Sequence, residues 1–488
     1  MKLVKSLFLG SVAGLAAVAG AQAADLPVAK AAPVEYVRVC STYGAGFFYI
    51  PGTETCLRVG GRVRTEMLYR EPAFRAADAI GFRARGRIQL DARTATAYGM
   101  LRTFVRYEIT RDSGTPYLFF PGSVGGTAGG VPTNGVNGLV GPFNVTPSSA
   151  NVAQAFIQFG GLTAGRVTSF FSNPDLPTSH MGTLRFDDAP DVTLLAYTYS
   201  FGNGLSATVS LEDGLERRVA ATGLVGGTLF GADAPVLLNY GGQRMPDVVG
   251  NIKYAGTWGS AQLSGALHQV TAVGGFDPIT GGALPGINTD SELGFAVQGS
   301  VGINLPFLGQ GDSAWIAATY VDGANAYILG GTGRQAFINN FPGLPISDAI
   351  IDPITGDLDT GTAWSIAGGI THNWTPTVRS SIFGSYARFN APDGASTVVA
   401  ATPATIAAGT AGASVGILDF NEYRLGANTF WAPISGLNLG VEVLYTKLDP
   451  RGQVAVPATN VVGTNSGLFG LSGGQDIWEG RLRVQRDF

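Results

Sequence analysis

The chain has 488 residues, of which 45% are hydrophobic and only 14% charged, with 71 glycines and two cysteines. That is too apolar for a disordered chain and too glycine-rich for a helical bundle. The net charge of -4 excludes a strongly basic nucleic-acid binder. Beyond residue 23 no stretch reaches the roughly 18 uninterrupted apolar residues of a transmembrane helix, so any membrane span must be built from strands.

Lys2 and Lys5, the apolar stretch from Leu7 to Ala19 and the small-x-small triplet Ala21-Gln22-Ala23 have the layout of a secretory signal. Residues 1–23 are expected to be cleaved, since the apolar stretch is too short for an anchor. Loss of the two lysines leaves 29 basic against 35 acidic residues, a net charge of about -6. The aperiodic, Ala- and Pro-containing run from Asp25 to Pro33 reads as an extended linker, and residues 24–55 are expected to form a periplasmic N-terminal segment. Export would carry Cys40 and Cys56 into an oxidising compartment. As the sole pair they are expected to form a disulfide closing a loop of about 16 residues, worth roughly 3 kcal/mol in the chain-entropy model. The three histidines, His180, His268 and His372, are scattered, so neither a metal centre nor a cofactor is expected.

From Cys56 to Phe488 apolar and polar residues alternate in segments of strand length. The connections between these segments are alternately short and long. The short ones are Arg93 to Tyr98, Gly160-Gly161, Phe201 to Gly204, Gly256 to Gly259, Asn304 to Asp312, Asn373 to Pro376 and Trp431 to Gly436. The long ones run from Arg70 to Ile80, Arg111 to Asn151, Phe171 to Asp191, Glu212 to Asp247, Val270 to Ser291, Asp322 to Thr362, Asn390 to Asp419 and Asp449 to Gln475. Short turns on one side and long loops on the other are the signature of an outer-membrane barrel, here an all-β, transmembrane antiparallel β-barrel of about 16 strands over residues 56–488.

Alternate side chains of a strand face opposite sides. Between Gly81 and Thr94, Arg83, Arg85, Arg87, Gln89, Asp91 and Arg93 share one face, while Ala84, Gly86, Ile88, Leu90 and Ala92 share the other. Leu205 to Glu212 and Leu437 to Thr446 divide in the same way, as a lipid-facing barrel with a wet lumen requires. Two segments, Val192 to Phe201 and Ala314 to Val321, are apolar on both faces and their register is open. Trp258, Trp374 and Trp431 lie in or beside short turns and are expected to form an interfacial girdle. The final segment carries Trp478, Leu482 and Val484 on one face and ends in Phe488.

The stretch VEYVRVCSTYGAGFFYIPGTETCLRVGGRVR, the segment FIQFGGLTAGRVTSFFSNPD and the terminal Phe resemble the alphaproteobacterial porin family of trimeric general-diffusion outer-membrane porins. Between these stretches the long loops carry no matching motif. The resemblance implies a water-filled pore for passive diffusion of small hydrophilic solutes and ions, narrowed by an inward-folded third long loop near residues 171–191. It also implies a homotrimer surrounded by outer-membrane lipid and lipopolysaccharide, with no nucleic-acid partner.

Charge positions are consistent with such a pore. Arg62 and Arg64, Arg83, Arg85 and Arg87, and Arg102 and Arg106 fall on three successive strands, and barrel closure would add Arg481 and Arg483 from the last strand. Like charges packed this closely repel, so a basic arc of this kind is expected to serve the field of a confined channel, with Glu66, Asp91 and Glu108 neutralising it in part. The third long loop contributes Asp175, Asp187, Asp188 and Asp191, expected to oppose the arc. Ser179 and His180 in the same loop have no third partner in register and read as lining residues. An outer-membrane enzyme lacks support, because the three histidines are scattered and not gathered into a site. A gated transporter would need a plug domain for which there is no room before Cys56. A substrate-selective porin and a surface adhesin are the remaining readings.

Overall fold

The computed structural model describes residues 38–72, 78–114, 148–219, 236–237, 240–272, 291–329, 346–351, 357–392, 419–451 and 475–488. The secretory signal, the extended run after it and most of the long loops fall outside these residues. The chain divides into two units, Met1–Leu57 and Arg58–Phe488.

In the first unit a short helical turn, Ser41–Tyr43, precedes the strand Phe48–Tyr49, which pairs with Cys56 and Leu57. Cys40 and Cys56 are joined by the expected disulfide across a separation of 16 residues. Both half-cystines are buried with Phe47, and the Arg38 guanidinium lies over the Tyr49 ring at 4.3 Å.

Sixteen antiparallel strands make up the barrel: β1 (Cys56–Arg70), β2 (Ile80–Thr96), β3 (Gly99–Ser113), β4 (Ser148–Phe159), β5 (Leu162–Thr168), β6 (Asp191–Gly202), β7 (Leu205–Glu212), β8 (Asp247–Gly256), β9 (Gly259–Thr271), β10 (Ser291–Asn304), β11 (Ser313–Asp322), β12 (Thr362–Thr375), β13 (Val378–Asn390), β14 (Phe420–Trp431), β15 (Leu437–Pro450) and β16 (Gln475–Asp487). Each pairs with its sequence neighbours, and β16 pairs with β1 from Arg62↔Asp487 to Arg70↔Glu479, so the sheet closes without an edge. The two segments of open register, β6 and β11, pair with both neighbours, β11 in regular ladders and β6 with one register shift against β7 between Ser200 and Gly202.

The short connections lie between β2 and β3, β4 and β5, β6 and β7 and onward, all at one end of the barrel. Asn203 and Gly204 both have positive φ, 51° and 85°, the backbone that a tight hairpin twisted with its strands demands. Trp258, Trp374 and Trp431 sit exposed at this end, together with Tyr98 and Phe307. Arg486, an unusual residue on an outward face, donates to the Ser435 carbonyl there instead of facing lipid bare.

Closure brings the last residue onto the first strand. The Phe488 N–H donates to the Gly61 carbonyl (3.1 Å) and the Gly61 N–H to the Phe488 carbonyl (2.9 Å). A Cβ on Gly61 would stand 2.4 Å from the Phe488 ring, so only glycine admits the terminal aromatic here.

Candidate functional site: the lumen and its inner loop

Residues 169–190 leave β5 and, instead of capping the barrel, line its inside. The reason is the character of the opposing wall. Inward positions on β9 to β13 are small, among them Ser260, Ser264, Ala266, Ala296, Ser300, Ala317, Ala363, Ser365, Ala367, Ser381 and Ser385, all buried. Short side chains leave a trough along the wall, and the loop fills it.

The loop is fastened at both ends and in the middle. At its start the Glu212 carboxylate accepts from the Ser169 hydroxyl (2.7 Å) and the Phe170 N–H (3.0 Å). The Gln262 amide lies 3.0 Å from the Ser172 carbonyl, and Asn251 donates to the Phe170 carbonyl (2.5 Å). Midway, Ser179 donates to Ser381 (2.6 Å) and the Ser179 carbonyl accepts from Asn428 (2.8 Å). At the tip, Glu442 accepts from the N–H groups of Met181 and Gly182, both at 2.6 Å. Arg185 forms a two-pronged pair with Glu422, which Arg424 also contacts. Between these polar ties Leu176, Leu184 and Phe186 pack with Trp315, Phe383 and Leu444. Such buried carboxylates are tolerable because Glu422 is paired with arginines and Glu212 and Glu442 each accept several hydrogen bonds.

The loop therefore covers the wall from β8 to β15, reaches Arg481 on β16, and leaves the rest of the inward faces of β16, β1, β2 and β3 open. The nine arginines named from the sequence all lie on those faces. Arg62 pairs with Asp487 (2.5 Å), Arg83 with Asp112 (2.7 Å), Arg87 with Glu108, Arg102 with Asp91 (3.0 Å) and Arg483 with Glu66 (2.5 Å). Arg64 donates to Gln485 (2.9 Å) and Arg85 to Thr110 (2.9 Å). The Arg106 guanidinium lies 5.4 Å from the Phe104 ring. Arg481 touches the loop itself, donating to the Met181 carbonyl (2.9 Å). Each strand carries at least one inward acid beside its arginines, Glu66 on β1, Asp91 on β2, Glu108 and Asp112 on β3 and Glu479 and Asp487 on β16, so the wall is a basic ladder with acids set into it.

The four loop acids do not act together. Asp175 is half-exposed and pairs with Lys253 at 2.6 Å. Asp188 is partly exposed, 3.5 Å from His180. Asp187, expected to oppose the arginines, turns the other way. It is buried, bonded by Arg217 at 2.7 and 3.1 Å and by Ser172 at 2.5 Å, because a carboxylate out of water needs a countercharge and finds it in the next long connection. Asp191 belongs to β6, where it accepts from Gln154 (2.6 Å) and Thr168 (3.0 Å). Ser179 and His180 are lining residues: the hydroxyl goes to the wall, and the imidazole Nδ1 lies 2.7 Å from the Gly182 carbonyl amid Phe186, Trp315 and Phe383.

Behind the loop lies a buried network that the sequence reading missed. Arg217 stacks on Tyr327 at 4.2 Å, and Tyr327 donates to Asp247 (2.6 Å), which pairs with His268 (2.8 Å). Above it, Asp348 accepts from Val219 N–H and Asn325 N–H, both at 2.6 Å, and from Tyr240. Burial pushes the Asp348 carboxyl up to about 6, against the opposing pull of His268, Tyr240 and the two amides. Asp348 thus joins two long connections, which also share the small sheet of Val236–Leu237, Ala349–Ile351 and Leu358–Thr360. No sequence spacing links these residues.

A family model described as "Porin subfamily" matches residues 25–478. Porin Omp2b of Brucella suis and porin Omp2b of Brucella melitensis are each 37% identical over 265 residues, 53% of this chain. That alignment spans 64% of the length of each relative. Among solved structures, the outer membrane channel DcaP of Acinetobacter baumannii superposes with a TM-score of 0.52 at 15% identity, covering 90% of this chain and 99% of that one; this shows a shared fold.

Proposed function

The chain belongs to the porin family and resides in the bacterial outer membrane, and we propose that it forms a water-filled channel through which small hydrophilic solutes and ions diffuse passively. The observation that carries this reading is the placement of residues 169–190 against one wall, fastened by Glu212, Glu422 and Glu442, opposite an uncovered wall of arginines. A fixed loop narrows the lumen without closing it.

Charges in a narrow aqueous passage between low-dielectric walls are screened less than on an open surface, so a few side chains dominate the field an ion meets. The arginine ladder on one side and the partly exposed Asp175 and Asp188 on the other would orient polar solutes and their water. Apolar solutes would have to displace that water. Three copies, packed through their lipid-facing walls and embedded among lipid and lipopolysaccharide, make up the proposed assembly.

Purified protein in a planar bilayer should give stepwise ohmic conductance, and proteoliposomes should swell with small sugars but not with large ones. Sealed membranes under both conditions, with the barrel folded, would sink the reading. Native mass equal to one chain would overturn the trimer alone.

A further inference from the structure

Three lumenal guanidinium groups break the pairing that holds the rest of the ladder. Arg62, Arg83, Arg87, Arg102 and Arg483 each meet a carboxylate at hydrogen-bond distance. Arg64, Arg85 and Arg106 have neutral partners where those have acids. Arg64 bonds the Gln485 amide oxygen at 2.9 Å. Arg85 bonds the Thr110 hydroxyl at 2.9 Å and only shares Glu108, at 3.7 Å. Arg106 stands opposite Gln89 and Gln154 in the ladders, its Nε sealed from solvent with no hydrogen-bond partner.

The three lie on adjacent strands β1, β2 and β3, on the wall that the inner loop leaves uncovered. Arg64 feels the like charges of Arg483, Arg62 and Arg85, with Glu66 opposing them, and Arg106 feels those of Arg87 and Arg62. Asp191 and Glu108 offset Arg106 only in part. A guanidinium already committed to a carboxylate offers a passing anion little. One held by an amide or hydroxyl oxygen keeps most of its donors and all of its charge.

We propose that Arg64, Arg85 and Arg106 form a binding step, made of successive contacts along this wall, for a doubly charged tetrahedral oxyanion, that is, inorganic phosphate or the phosphate group of a small phosphorylated solute. Arg64 and Arg85 are the close pair, and Arg106 lies beyond the Arg87–Glu108 pair in the ladder. Planar guanidinium forks match phosphate oxygens two at a time, a geometry that chloride cannot exploit. The Gln89 amide, opposite Arg106 in the ladder, can supply a neutral donor as the anion sheds water. A step of this kind must bind weakly enough to release, and the interleaved carboxylates on either side ensure that. The proposal rests on the channel reading and goes beyond it in naming a solute class.

The test is chloride current through the wild-type protein in a planar bilayer at constant ionic strength. Added inorganic phosphate should reduce the current saturably in the millimolar range, and glycerol phosphate should do so where glycerol does not. Arg64→Gln, Arg85→Gln and Arg106→Gln should each raise the half-blocking concentration by about threefold to tenfold, the loss of one hydrogen bond of typical net strength. Phosphate should also raise the melting temperature of the detergent-solubilised wild type more than that of the triple variant, a readout that needs no conductance. Normal chloride current with no saturable block, or a block unchanged in all three variants, overturns the site while the channel stands. Block by inorganic phosphate alone confines the ligand to the free anion and excludes phosphorylated solutes. A folded protein with no conductance overturns the channel reading and this site with it.

Discussion

Arg185 and Glu422 form a two-pronged ion pair, at 2.7 and 3.0 Å, in which both side chains are withdrawn from solvent, 1% and 0% exposed. One belongs to the inner loop and the other to β14. Breaking a buried pair by removing one partner strands a charge, which typically costs about 3–5 kcal/mol. Arg185→Met or Glu422→Gln should therefore detach the tip of the loop, giving larger and noisier single-channel currents. Replacing both residues with apolar ones of similar volume should largely restore quiet openings. Wild-type conductance and noise in both single variants would show that the remaining ties hold the loop without this pair.

The arginine ladder and the loop acids have separable roles. Arg83→Gln, Arg85→Gln and Arg87→Gln combined should move the reversal potential towards cations, most clearly at low salt, where screening is weakest. A change of about 1 kcal/mol in an ion's barrier corresponds to roughly a fivefold change in permeability ratio. Asp188→Asn should move selectivity the other way. Asp187→Asn should instead act on the loop, since its carboxylate is spent on Arg217 and Ser172. Equal selectivity shifts from Asp187→Asn and Asp188→Asn would contradict this division.

Asp348 makes the contact between two long connections depend on pH. Its carboxyl in the folded loops titrates at about 6, above the ordinary value of 3.8, so the joined state takes up a proton before the separated one does. An acid with a raised pKa adds stability as pH falls through that window and loses it as pH rises. The joint between Val219, Asn325 and Tyr240 should tighten by up to roughly 3 kcal/mol between pH 7 and pH 4. Amide exchange at Val219 and Asn325, corrected for intrinsic rates, should slow accordingly. Asp348→Asn should flatten that dependence, and exchange protection that falls on acidification would refute the assignment.

Gly61 is the seat of Phe488. A side chain there would meet the terminal ring at 2.4 Å and the Arg87 carbonyl at 2.6 Å; the ring would have to leave its seat, and the carbonyl cannot retreat while β1 and β2 stay paired. Gly61→Val should abolish the heat-modifiable folded form on gels, whereas Gly86→Val, at a site with open space around it, should leave it intact. Normal folding of Gly61→Val would mean that closure tolerates a displaced C-terminus.

The alternation of apolar and polar residues and the alternation of short and long connections determined the barrel, its 16 strands, its handed ends and the inward arginines. These follow from the two-residue period of a strand and from a lipid phase that accepts only closed sheets. Even β6 and β11, apolar on both faces, fell into place once their neighbours were paired. Glycine at 61 and aromatic at 488 were legible singly; that they touch was not, because closure joins positions more than 400 residues apart in sequence. Sequence separation likewise hid Arg185 from Glu422, 237 residues away, and Asp187 from Arg217, which lies in a different long connection. Which acids face the pore and which hold the loop depends on desolvation, and a side chain loses its water only through the tertiary neighbours that surround it, so only the folded barrel decided it.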